Sequence, residues 1–209
     1  MSVLTQIRRR GRILPPPPTD FDDGSGGSGS SFPVSRAYIA TWVLLTAVIM
    51  LFAGLSSAYI VLRGTPEWQN ITVPRIVWGN TLVLFASSLA IEFARHAVRR
   101  NHPEGVRQWV VVSGILGFAF LVGQLVAWQQ LIKAGVYLAT TIHSSFFYVL
   151  TGAHALHLLG GLIGLAYVLQ KAFANQLTAT NHEPLKAFAL YWHFMDVVWI
   201  YCFILLLFA

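Results

Sequence analysis

Five apolar runs, each long enough to cross a bilayer, leave this chain very few architectures. A spanning helix takes about 20 predominantly apolar residues, and such runs fall at residues 35–62, 76–97, 108–132, 143–169 and 185–208. The runs are continuous rather than alternating between apolar and polar, which excludes a β-barrel. Composition agrees: 56% of the 209 residues are hydrophobic and 11% are charged, against roughly a quarter charged in a soluble domain. The expected fold is therefore all-α, a polytopic membrane protein with five transmembrane helices. The lone cysteine, Cys202, lies in the last run, so there is no disulfide framework.

Residues 1–34 read differently. RRRGR, four consecutive prolines and DFDDGSGGSGSS cannot bury a core, and a disordered cytoplasmic tail is expected there. The basic start is followed by prolines and not by an apolar core, so it is no secretory signal peptide, and the first span must itself direct insertion. The formal net charge of +6 does not point to nucleic acid, because the basic residues cluster at span ends. With the N-terminus inside, the inner segments hold Arg8, Arg9, Arg10, Arg12, Arg36, Arg95, Arg99, Arg100, Arg107, Lys171 and Lys186, and the outer ones hold Arg63, Arg75 and Lys133. Eleven against three places the N-terminus in the cytoplasm and the C-terminus outside.

Polar groups inside the spans mark what the helices do beyond crossing. The fourth run carries His154 and His157 one turn apart, with Ser144, Ser145 and Thr151 before them and Gly160, Gly161 and Gly164 after them. Ionisable side chains in a membrane face protein or water, and small residues let helix backbones approach closely. Gly54, Ser57 and Ala58 offer such a small face on the first helix, and Gln124 is the deeply placed amide of the third. In the second, Glu92, Arg95 and His96 stand at i, i+3 and i+4. They form either an interfacial ion pair or a lipid-headgroup or proton-entrance site. The fifth opens with YWHFMDVVW, where Tyr191, Trp192 and Trp199 read as interface aromatics and His193 and Asp196, three apart, face one way. A carboxyl at that depth needs a partner or a proton. The charge count sets His193, Asp196 and Glu92 near the cytoplasmic surface.

Three chemistries compete for these residues. A metal or haem site would use His154 and His157, but four ligands require more groups, such as His193 or Asp196, and no Cys pair, Glu-x-x-His or second histidine-rich helix supplies them. A hydrolytic site would need a Gly-x-Ser-x-Gly elbow in a strand–turn–helix context, which is missing. The structural option leads: histidines and Asp196 bonded to each other and to hydroxyls, fixing helix packing or gripping headgroups.

HSSFFYVLTGAHALHLLGGLIGL resembles a segment of subunit III of the haem–copper oxidases, and YWHFMDVVWIYCF is similar to the closing W-H-F-x-D-x-V-W signature of that family. Weaker likeness runs through MLFAGLSSAYIVLRG, NTLVLFASS and GFAFLVGQLVAW. The resemblance implies a helical subunit with no redox centre, no catalytic residue and no metal of its own. It would bind phospholipid between its helices, pack against a subunit I that carries haem and copper, and have a subunit II nearby. It would support proton uptake by subunit I and its durability in aerobic respiration, in a bacterial cell membrane. His154, His157, His193 and Asp196 match the polar positions of the motifs, and Trp192 and Trp199 the aromatic ones. Two departures stand out: the chain has five spans where long forms have seven, and Val48 occupies a position where the family usually carries glutamate. The alternatives are an accessory subunit of a quinol oxidase or nitric oxide reductase, or an independent membrane metal-binding protein.

Overall fold

The computed structural model describes residues 36–66, 68, 73–178 and 181–207; the tail expected over residues 1–34 lies outside them. Five helices follow in order: α1 (Arg36–Arg63), α2 (Ile76–Arg99), α3 (Pro103–Lys133), α4 (Ile142–Phe173) and α5 (Glu183–Leu207). Each is long and apolar enough to span a membrane, and there is no strand among the described residues.

Three helix ends run past their apolar stretches for local reasons. α3 starts at Pro103, five residues ahead of the run at 108, because proline suits the first helical turn and His102 Nδ1 accepts a hydrogen bond from Gly105 N at 2.9 Å. α4 opens on a capping box in which the Thr141 and Ser144 side chains each accept the other's backbone N–H, at 3.1 and 3.0 Å. At its far end α4 continues through Gln170 and Lys171 to Phe173, where a cation complements the negative pole of the helix.

Helices α2, α3, α4 and α5 pack as a ring in which each touches two others, α5 closing back on α2. The short α2–α3 and α3–α4 connections make those neighbours antiparallel. α1 lodges outside the ring against α4 and α5, and it does not pack on α2. Its buried stripe, Leu45, Val48, Phe52 and Tyr59, recurs at three-, four- and seven-residue steps and meets Phe147, Leu150, Met195 and Cys202. The Gly54, Ser57 and Ala58 face expected to serve packing is instead exposed, and nothing lies within 4 Å of where a Gly54 Cβ would sit. The bulky apolar stripe makes the contacts, and the small one faces outward.

Inside the ring, Phe120 of α3, Leu158 of α4 and Trp192 and Trp199 of α5 form the centre. The two tryptophans, read from sequence as interface aromatics, are core residues with exposures of 0% and 1%. Seven residues apart on one helix face, they find indole N–H acceptors on α2 and so have no need of the headgroup region.

Candidate functional site: a polar seam between α2 and α5 and a groove beside α4

The seam is a ladder of side chains read in opposite directions along two helices. Trp199 Nε1 donates to Thr81 Oγ1 at 3.0 Å. Further along, Trp192 Nε1 donates to Ser87 Oγ at 3.1 Å, and Ser87 Oγ in turn donates to the carbonyl of Ser113 on α3 at 3.0 Å. Between these rungs lies Asp196, 7% exposed. It sits beside Ser88, although neither carboxyl oxygen reaches hydrogen-bond geometry with any described residue.

The last rung carries the charged pair and a histidine. His193 Nε2 lies 2.7 Å from Glu92 Oε1, and His193 Nδ1 meets Ser88 Oγ in a short contact. A carboxylate only accepts, so Nε2–H donates to Glu92; in the neutral ring Nδ1 then accepts from the Ser88 hydroxyl. Arg95 Nη1 binds the same Glu92 oxygen from one turn along α2. Glu92 and Arg95 are thus paired as their spacing suggests, whereas the link from Glu92 across to α5 is purely tertiary. His96 is exposed and joins neither bond.

The two histidines of α4 diverge. His154 is fully buried among rings, 5.7 Å from Phe120 and 4.9 Å from Trp199 by centroid, and neither of its nitrogens has a hydrogen-bond partner among the described residues. Gln124 of α3, also buried, is in the same condition. His157 faces the other way: its Nδ1–H donates to the Ala153 carbonyl at 2.7 Å and its ring packs on Phe52 of α1. The pair therefore does not converge on one point. No group of three or more His, Cys, Asp or Glu side chains gathers around a common centre among the described residues.

His157 lines a groove of about 480 Å³ between α1, α4 and α5, with Thr41, Leu44, Gly160, Gly164 and Phe188 among its walls. The glycines of α4 divide their work here. Gly161 lets Tyr191 and Trp192 approach, since a Cβ there would stand 3.0 and 3.1 Å from their rings, while a Cβ on Gly160 would meet nothing within 4 Å. One glycine closes the α4–α5 contact and the other leaves the groove open. Tyr191 Oη donates to the His157 carbonyl at 2.8 Å and ties the groove wall across the two helices. The groove is apolar along its length and polar at His157, a shape suited to an acyl chain more than to a small polar substrate.

Residues 62–209 match the family model described as Cytochrome c oxidase subunit III. The match takes in α2 to α5 and thus the whole seam, but only the last two residues of α1. A cytochrome c oxidase subunit 3 from Corynebacterium diphtheriae is 32% identical over 180 residues, 81% of this chain and 86% of that relative. One from Thermostichus vulcanus is 34% identical over 172 residues, 78% and 83% of the two chains. One from Synechocystis sp. is 35% identical over 173 residues, 78% and 71%.

Proposed function

Because the chain belongs to the cytochrome c oxidase subunit III family, we propose that it is the accessory subunit of a bacterial haem–copper terminal oxidase, carrying no redox centre and taking no part in the chemistry of oxygen. Haem and copper belong to the neighbouring subunit I and, with subunit II, complete the enzyme. This chain keeps subunit I and its proton-entry surface in shape, with phospholipid held in the α1–α4–α5 groove. The N-terminus is cytoplasmic and the C-terminus outside, so Glu92, Arg95 and His193 lie at the cytoplasmic end.

The observation that carries this reading is the bond from His193 to Glu92 and Ser88, which joins α2 to α5 within the part of the chain the family model covers. An imidazole spent on two structural partners is not free to ligate a metal. It supports a role in assembly, and its position at the end of a span supports one in proton entry. Asp196 one turn further in supports the same reading, as a carboxyl held between helices.

The test uses the intact complex. Replacing His193 with Ala removes two hydrogen bonds, the one to the part-exposed Glu92 carboxylate being worth about 0.2–1 kcal/mol. The expected result is a complex that loses this subunit in mild detergent, or whose activity decays sooner during turnover, with haem content unchanged. Asp196→Ala should do the same. Loss of haem from this chain itself would overturn the reading, as would a mild-detergent extract with no haem-bearing partner. A copper-ligating subunit II in that extract separates the oxygen reductase from a nitric oxide reductase.

A further inference from the structure

A second polar recess opens at the same end of the seam. It has a volume of about 170 Å³ and is walled by Arg95 and Arg99 of α2, His182, and Lys186 of α5, over a floor of Val98 and Leu185. The floor residues are buried, so the recess is a fixed feature of the α2–α5 contact. Arg95 and Arg99 are four residues apart and share a helix face. Lys186 comes from the first turn of α5, and His182 immediately precedes that helix.

The charges in the recess are incompletely answered. Arg95 is tied to Glu92, and Lys186 Nζ lies 3.6 Å from Glu183 Oε1. Arg99 has no carboxylate partner among the described residues. The Nδ1 atom of His182 is buried and has no hydrogen-bond partner there. Three cations and an imidazole from two helices, balanced by two carboxylates set to the sides, form a site for an anion with several acceptor oxygens. Guanidinium forks match such an oxygen set in a paired geometry.

We propose that this recess binds a phosphate group, supplied either by the headgroup of an anionic phospholipid or by soluble phosphate. The inference rests on the reading that Arg95 lies at headgroup level, and it extends that reading to Arg99, His182 and Lys186. Juxtamembrane cations of this kind attract anionic lipid, and the buried floor would hold the phosphate against the helix ends.

The experiment uses the intact complex in phosphatidylcholine nanodiscs, with and without phosphatidylglycerol. Phosphatidylglycerol retained after detergent exchange is measured by mass spectrometry. Inorganic phosphate is titrated against the thermal stability of the complex in phosphatidylcholine alone. The variants are Arg99→Gln, Lys186→Gln and both together, all at exposed positions, with Gly160→Leu as a control that fills the other groove. Each single change should weaken binding about tenfold, which corresponds to about 1.4 kcal/mol, and the double change about a hundredfold. Retained phosphatidylglycerol that the double variant loses identifies the lipid headgroup; a phosphate-dependent shift that it loses identifies soluble phosphate. Binding of neither probe overturns the proposal, as does a double variant that binds like the parent. Equal loss in Gly160→Leu also overturns it, by placing the lipid in the other groove. Nanodiscs expose both faces, so a wrong orientation would not mimic failure of the site.

Discussion

Trp192 shows how a single residue fixes the bundle. Its indole N–H is anchored on Ser87, while its ring fills the space that Gly117 and Gly161 leave on two other helices. A Cβ on Gly117 would stand 2.9 Å from the ring, closer than packed atoms approach, and one on Gly161 3.1 Å, tight enough that the rigid, fully buried indole would have to shift. Gly161→Ala should therefore cost about 1–3 kcal/mol through overpacking. Gly160→Ala, one residue away and facing open space, should change stability by less than about 0.5 kcal/mol. Thermal unfolding of the two variants in the same detergent separates them, and equal melting points would contradict the packing described. The importance of these residues was legible in the sequence, but their roles were only half so. Trp192 and Trp199 looked like interface aromatics because tryptophan in a spanning chain commonly sits there. Their acceptors, Ser87 and Thr81, lie more than a hundred positions away and are set by tertiary packing. Glu92 and Arg95 were legible as a pair because helical spacing alone brings them together. The cross-helix bond of Glu92 to His193 was not.

Among the elements, α1 is the one held least firmly. It packs on α4 and α5 only, and large side chains such as Trp42, Val43, Met50 and Val61 point away from the bundle. Its C-terminal end is pinned by Tyr59, whose hydroxyl donates to the Leu205 carbonyl at 3.2 Å and whose ring meets Trp68 at 5.1 Å. Tyr59→Phe removes that bond and leaves the ring in place, a loss of about 0.5–1.5 kcal/mol. Amide exchange should then rise across the C-terminal half of α1 while α2 and α3 keep their protection, because local opening follows the least supported element. Exchange rising uniformly over all five helices would contradict it. Every helix was legible as an apolar run, for a bilayer dictates the length of its spans. The ends were less so, since Pro103 and His102 build a helical turn from residues that composition assigns to a loop. The groove was hidden for a further reason: adjacent glycines at 160 and 161 read alike, and only the position of α5 makes one of them a contact and the other a wall.

At the scale of the whole molecule, the bundle has two chemically different ends, and the orientation decides which of them meets the cytoplasm. The end with Glu92, Arg95, Arg99, Arg100, Arg107, Lys171 and Lys186 holds most of the charge, whereas the opposite end offers Arg63, Arg75 and Lys133. Insertion of such a chain follows that bias, and in the proposed orientation the seam's ionisable rung and the Arg95–Lys186 recess face inward together. Cys202 is fully buried, which leaves the native chain silent to a thiol reagent. Cysteines introduced at Arg100 and at Tyr137, both exposed and at opposite ends, then report the orientation separately. In intact cells a maleimide that cannot cross the membrane should label Tyr137→Cys and spare Arg100→Cys, and after lysis it should label both. The reverse pattern would put the seam on the outer face. The proton-entry role would then fail, because protons for oxygen reduction coupled to pumping are drawn from the inside, while the packing role of Trp192 and His193 would stand unchanged.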